Sequence, residues 1–139
     1  MNQRRLSIVI LMALLVVAGC GGGKYAKEKT VLDGLAQAME TFTSTVNSAD
    51  SPAGITQALG SFSGVVENLL PQMKSLTTDH PEWEANPPEE LKDTFAKFNT
   101  AKAGFQSAMP KVTEMAKEHL GDADLQSAVN KFITLVKDM

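Results

Sequence analysis

The chain has 139 residues, with 13 basic and 16 acidic side chains, a formal net charge of −3 and one cysteine. This length suits one domain with a buried core, and the acidic balance argues against nucleic-acid binding, which needs a basic surface to displace counterions from phosphate. One cysteine cannot form a disulfide within the chain, so packing must stabilise the fold.

The first twenty residues have the pattern of an export signal. Arg4 and Arg5 precede an uncharged, mostly apolar run over residues 6–17, and small residues follow it. This order is typical of a secretory signal peptide. The run is short for a membrane-spanning helix, which needs about 20 residues. A cleaved signal with an incidental cysteine and an uncleaved transmembrane helix are the alternatives.

The end of this segment, Val17-Ala18-Gly19-Cys20, resembles the lipobox of bacterial lipoproteins, in which a branched aliphatic residue and two small residues precede an obligatory cysteine. The resemblance covers the export segment and no more. It implies cleavage between Gly19 and Cys20, a diacylglycerol on the Cys20 sulfur and acylation of the new amino terminus. Two or three acyl chains form a stable anchor, because each buried CH₂ contributes about 0.8 kcal/mol. We expect no cofactor besides this covalent lipid.

The residues after Cys20 predict a flexible tether and indicate the membrane to which the protein is delivered. Residues 20–24 contain Gly21-Gly22-Gly23, which predicts a short flexible coil that keeps the folded part near the bilayer. In the resemblance, an aspartate after the cysteine favours inner-membrane retention. Gly21 stands there instead, so we expect the outer membrane, facing the periplasm. Without residues 1–19 the mature chain holds 11 basic and 16 acidic side chains, a formal charge of −5.

Two amphipathic helices are predicted first, because apolar side chains recur at spacings of three and four. The first covers about residues 25–47, and the second starts at Pro52, which suits a first helical turn. Gly54, Gly60 and Gly64 lower the helix propensity and predict a close approach by a neighbour, while Pro71 predicts a kink. The two apolar stripes are Leu32, Leu35, Met39, Phe42 and Val46, then Ile55, Leu59, Phe62, Val66, Leu69, Met73 and Leu76.

A linker is predicted at about residues 77–87, where proline and acidic residues interrupt the pattern. Asn86 would cap the next helix, Pro87 would be its first residue, and Glu89 would close a capping box.

Two further helices are predicted after this linker. Pro110 predicts a bend in the third helix, and Gly121 a stop, with Asp122 or Asp124 capping the fourth. The third helix has two rows of residues with a spacing of seven: a bulky row of Leu91, Phe98, Phe105, Val112 and His119, and a mostly small row of Thr94, Ala101, Ala108 and Met115. The fourth helix has one apolar stripe, formed by Leu125, Val129, Phe132, Leu135 and Val136.

These patterns predict an all-α fold. No useful stretch alternates with the period of two that marks a strand. Four amphipathic helices with two short connections predict a bundle over residues 25–139, built from two antiparallel αα-hairpins.

The sequence contains no recognisable catalytic constellation. No motif brings serine, histidine and aspartate together, and no glutamate stands three residues before either histidine, as a di-iron bundle would require. His80, Glu82 and Glu84 form a weak metal-ligand pattern that we interpret as a solvated acidic loop. His119 lies on the predicted buried face of the third helix. We therefore expect no catalytic residue, no metal site and no enzyme.

Trp83 is the candidate site residue of the mature chain, because no amphipathic pattern surrounds it. It could close the end of the bundle by burying its ring, or it could contact a partner protein, since tryptophan is enriched in binding hot spots.

The function expected is that of a membrane-anchored lipoprotein of the bacterial envelope, with a non-catalytic structural or protein-interaction role. An envelope protein is the expected partner. The alternative is a binding module for a small apolar or lipid-like ligand between the helices, because methionine is adaptable and the stripes are rich in methionine and phenylalanine. A coiled coil that pairs between chains is a further alternative, and the oligomeric state stays open.

Overall fold

The computed structural model describes residues 23–138 as an all-α bundle, which confirms the predicted fold class. The signal peptide, the cleavage site at Gly19 and Cys20, and most of the tether lie outside these residues. The described helices are α1 (Ala26–Ser48), α2 (Pro52–Asp79), α3 (Lys92–Glu118) and α4 (Ala123–Asp138). A single 3₁₀ turn, Glu89–Leu91, precedes α3. Residues 23–138 contain no strand.

Local capping explains where two of the helices begin. The Ser51 side chain accepts a hydrogen bond from the Gly54 amide (3.4 Å), directly before α2. The Asp122 carboxylate accepts one from the Leu125 amide (2.9 Å), directly before α4. Both side chains satisfy donors that a helix leaves unpaired in its first turn.

The predicted start of the third helix at Pro87 is wrong. The chain stays extended at Pro88 (ψ 151°), and α3 begins at Lys92 after the 3₁₀ turn. The reason is the Pro87-Pro88 pair, because a residue before proline is driven out of the helical region. Asn86 therefore lies in the loop and does not cap α3. The linker also begins later than predicted, since α2 continues to Asp79.

Helix α1 is the central packing partner. It lies against both α2 and α3, while α4 packs mainly against α2. The Lys111 ammonium donates to the Asn47 carbonyl (3.0 Å), which places the later half of α3 beside the end of α1. A Lys131–Glu67 ion pair (3.1 Å) joins α4 to α2. Helices α1 and α2 pack together as one of the two predicted hairpins. Helices α3 and α4 make few contacts with each other, because α3 packs mainly against α1 and α4 mainly against α2.

The core centres on four phenylalanines, one from each helix: Phe42, Phe62, Phe105 and Phe132. All six pairs of rings are in contact range, with centroids 4.8–6.2 Å apart. Such aromatic pairs add about 0.5–1.5 kcal/mol each beyond the burial of their area. Aliphatic side chains of the predicted stripes surround them, and Ile55, Leu59, Val66 and Leu125 are fully buried.

The prediction that Gly60 and Gly64 admit a close neighbour is wrong. A methyl group at either position would meet nothing within 4 Å. The same prediction is confirmed at Gly54, where a methyl group would lie 2.9 Å from the Ala49 Cβ atom. A close approach also occurs at Gly34, where a methyl group would lie 3.3 Å from the Leu69 Cδ1 atom. Gly60 and Gly64 therefore carry the entropic cost of glycine without a packing reason in the bundle.

Replacing these open glycines is expected to stabilise the bundle. Gly60→Ala and Gly64→Ala should each raise the free energy of unfolding by about 0.5–1 kcal/mol, because alanine has the higher helix propensity and meets open space. Urea denaturation followed by far-UV circular dichroism measures the change. Gly34→Ala is the control, and it should gain less because its methyl group must displace Leu69. Loss of stability in both open-site variants would contradict this account.

Candidate functional site

A second buried cluster closes the end of the bundle at which the chain enters from the tether. Its buried members are Leu32 from α1, Trp83 from the loop, Leu91 from the 3₁₀ turn and Phe95 from α3. Tyr25, Leu76 and Phe98 pack against it. We call it the Trp83 cluster.

Trp83 lies inside this cluster and is 6% exposed. Its ring stacks on the His80 ring, with centroids 3.6 Å apart and planes within 9°. The Tyr25 ring meets it edge-on at 5.1 Å. Of the two roles predicted for Trp83, closing the bundle end describes this position, and contact with a partner stays a prediction. No periodic stripe contains Tyr25 or His80, so the sequence pattern does not identify them as neighbours of Trp83.

The loop that carries Trp83 covers residues 80–88, and residues 81–85 within it form turns. The Trp83 amide donates to the His80 carbonyl (3.1 Å), and the amides of Ala85 and Asn86 donate to the Glu82 carbonyl (3.2 and 2.9 Å). Lys102 of α3 lies 3.8 Å from Glu84. The outer face of this loop is exposed, and it consists of Pro81, Glu82, Glu84, Ala85 and Asn86.

An open groove of about 810 Å³ lies next to the Trp83 cluster, between the start of α1 and the end of α2. We call it the tether groove. Its lining includes apolar side chains and, among the charged ones, Lys27, Glu28 and Asp79, with His80 at the loop end. His80 therefore borders both the groove and the Trp83 ring.

A second surface depression, of about 670 Å³, is built by α3 alone. It lies along the later half of the helix, around Met109, Pro110 and Thr113. A single helix cannot surround a ligand, so this depression has little capacity to select one.

The histidines and loop acids do not assemble into a metal site in the described structure. His119 is exposed at the end of α3, so its predicted place on the buried face is wrong. Helix α3 ends at Glu118, and the row with a spacing of seven therefore leaves the helix before His119. Glu82 and Glu84 are exposed to solvent in the loop. Within residues 23–138, no three His, Cys, Asp or Glu side chains are grouped as metal ligands.

Comparison with protein-family models, with curated proteins and with solved structures found no match to this chain. The helices between residues 23 and 138 also lack the combination of length and apolar character that crossing a membrane requires.

Truncating Trp83 is expected to loosen the tethered end. Trp83→Ala should lower the free energy of unfolding by about 3–5 kcal/mol, the usual cost of removing a large buried aromatic side chain. Urea denaturation followed by circular dichroism measures this without needing tryptophan emission. Trp83→Phe is the matched control, and it should lose about half as much or less because it keeps a ring against His80 and Tyr25. A loss below about 1 kcal/mol in Trp83→Ala would contradict a closing role.

Proposed function

We propose that this chain is a lipid-anchored protein of the bacterial envelope with a non-catalytic, protein-interaction role. The observation that carries the anchoring is the Val17-Ala18-Gly19-Cys20 motif, whose cysteine is the single cysteine of the chain. Lipidation of Cys20 would hold the mature protein on the membrane, and Gly21 favours the outer membrane on its periplasmic side.

The short tether decides which end of the bundle is near the bilayer. Six residue steps separate Cys20 from Ala26, where α1 begins, and an extended chain covers at most about 3.6 Å per residue. The start of α1 would therefore stay within about 22 Å of the anchored cysteine. The Trp83 cluster and the loop over residues 80–88 lie at this same end.

The outer face of the loop is the partner surface that we propose. Backbone turns and the buried Trp83 ring attach the loop to the bundle. A surface that is ordered before binding loses less conformational entropy when a partner docks. Loops positioned by a rigid scaffold are also common binding elements. Trp83 thus supports the contact from beneath, and the exposed loop residues meet the partner.

The packing at the centre of the bundle favours this role over a ligand-binding one. The four phenylalanine rings occupy the space between the helices in which a small apolar ligand would lie. The two grooves described above are on the surface and carry polar side chains.

The proposal is tested by mild crosslinking in native membranes, followed by purification of the chain. Wild type should yield a specific crosslinked partner, and Glu82→Lys should reduce its yield at least several-fold by reversing a charge on the loop face. Glu114→Lys is the matched control, because Glu114 is also an exposed carboxylate and lies on the far half of α3. Equal yields from both variants would overturn the assignment to the loop, and no crosslinked partner in wild type would overturn the interaction role.

A further inference from the structure

We propose that helix α4 is a hinged cover, which opens about its first turn while α1, α2 and α3 stay folded together. We call residues 119–126 the hinge segment. Opening would uncover the side of α2 against which the later turns of α4 pack. This motion belongs to the bundle itself, so it goes beyond the proposed function and does not depend on the state of Cys20.

The phenylalanine core holds α4 less closely than it holds the other helices. The rings of Phe42, Phe62 and Phe105, from α1, α2 and α3, have centroids 4.8–5.4 Å apart. Phe132 of α4 lies 5.9–6.2 Å from each of them. The three closer rings contact one another directly, so they can remain packed when Phe132 leaves. Phe132 is thus the peripheral member of the group.

Helix α4 also contributes little to the rest of the core. It has three buried side chains, Leu125, Phe132 and Leu135, whereas α1 has eight. It packs mainly against α2 and makes few contacts with α3. The Lys131–Glu67 ion pair joins α4 to α2, but both side chains are about half exposed, and such pairs add little stability. A helix that is held along one side can leave without separating the other three.

Two hydroxyl groups of α2 oppose the closed position of α4. Ser63 is 1% exposed, and within residues 23–138 neither its hydroxyl nor that of Thr56 has a hydrogen-bond partner. Ser63 lies four residues before Glu67 and seven after Thr56, so these three residues share one side of α2. The contact between Glu67 and Lys131 shows that this side faces α4. A buried hydroxyl without a partner costs free energy, and opening would let water bind it.

The hinge segment is attached to α3 by hydrogen bonds and leaves its turn exposed. Leu120 is 73% exposed, so the turn can change shape without losing buried contacts. The Gln126 side-chain amide donates to the carbonyls of Ala116 (2.9 Å) and His119 (3.3 Å) at the end of α3. These bonds hold the beginning of α4 in place. The later turns of α4 depend on packing and on one exposed ion pair.

Hydrogen exchange of the detergent-solubilised full chain tests the proposal. An isolated helix as short as α4 is marginal in water, so an opened α4 loses its amide protection. The amides over residues 127–134 should be about a hundredfold less protected than those at the centre of α1, residues 35–42. They should also share one protection factor, because the segment opens as a unit. Fraying from the chain end would instead give protection that decreases steadily toward Asp138.

Three substitutions separate this opening from unfolding of the whole bundle. Ser63→Ala should raise the protection of residues 127–134 about tenfold, because the closed form no longer buries an unpaired hydroxyl. Ser61→Ala, at an exposed serine of the same helix, is the matched control and should leave their protection unchanged. Trp83→Phe should speed exchange at the centre of α1 and leave residues 127–134 unchanged, since the Trp83 cluster is built from the other helices and the loop.

The proposal is overturned by equal protection in α1 and α4, by protection that decreases steadily toward Asp138, or by equal acceleration of both helices in Trp83→Phe. It is also overturned when Ser63→Ala gives no increase, or an increase that Ser61→Ala matches. Circular dichroism of the variants confirms that they are folded. Because the exchange is measured within the bundle, its outcome is separate from that of the crosslinking and from the covalent state of Cys20.

Discussion

The contact among four phenylalanine rings is the interaction on which the rest of the bundle depends. Each helix contributes one ring, and every ring is in range of the other three. Helices α3 and α4 follow each other in sequence but pack mainly against different partners. The Phe105–Phe132 contact at 6.0 Å is therefore one of the few interactions that join them directly. Because the four rings share one site, the helix pairs α1–α3 and α2–α4 are held as a single core.

The unequal lengths of the helices explain why the two ends of the bundle differ. Helix α4 has 16 residues and α2 has 28, which correspond to about 24 and 42 Å. Helix α4 cannot cover the whole length of α2, so the end at which α1 begins must be closed by other means. The loop provides this closure through Trp83, which packs with Leu32, Leu91 and Phe95. The loop surface and the tether groove are consequences of that closure, and both lie next to the proposed anchor.

Periodicity was sufficient to predict the helices and most of their buried faces. The stripe from Leu32 to Val46 is buried as predicted, and so are Thr94, Ala101 and Ala108 in one row of α3. Both patterns depend on local spacing. Effects between neighbouring residues or between helices escaped prediction. Pro88 displaced the start of α3, and the early end of α3 exposed His119. The stacking of His80 on Trp83 and the pairing of α3 with α1 depend on the tertiary path of the loop, which no short motif encodes.

The central claim is that Cys20 anchors this bundle by the end that Trp83 closes, and the covalent state of Cys20 tests it most directly. The chain should be isolated from native membranes and digested with trypsin, which cleaves after Lys24. The mass of the peptide over residues 20–24 should correspond to a diacylglycerol on the Cys20 sulfur and an acylated amino terminus, because the lipobox implies both. A peptide over the same residues with a free thiol and a free amino terminus, or one that still includes Gly19, would contradict the account.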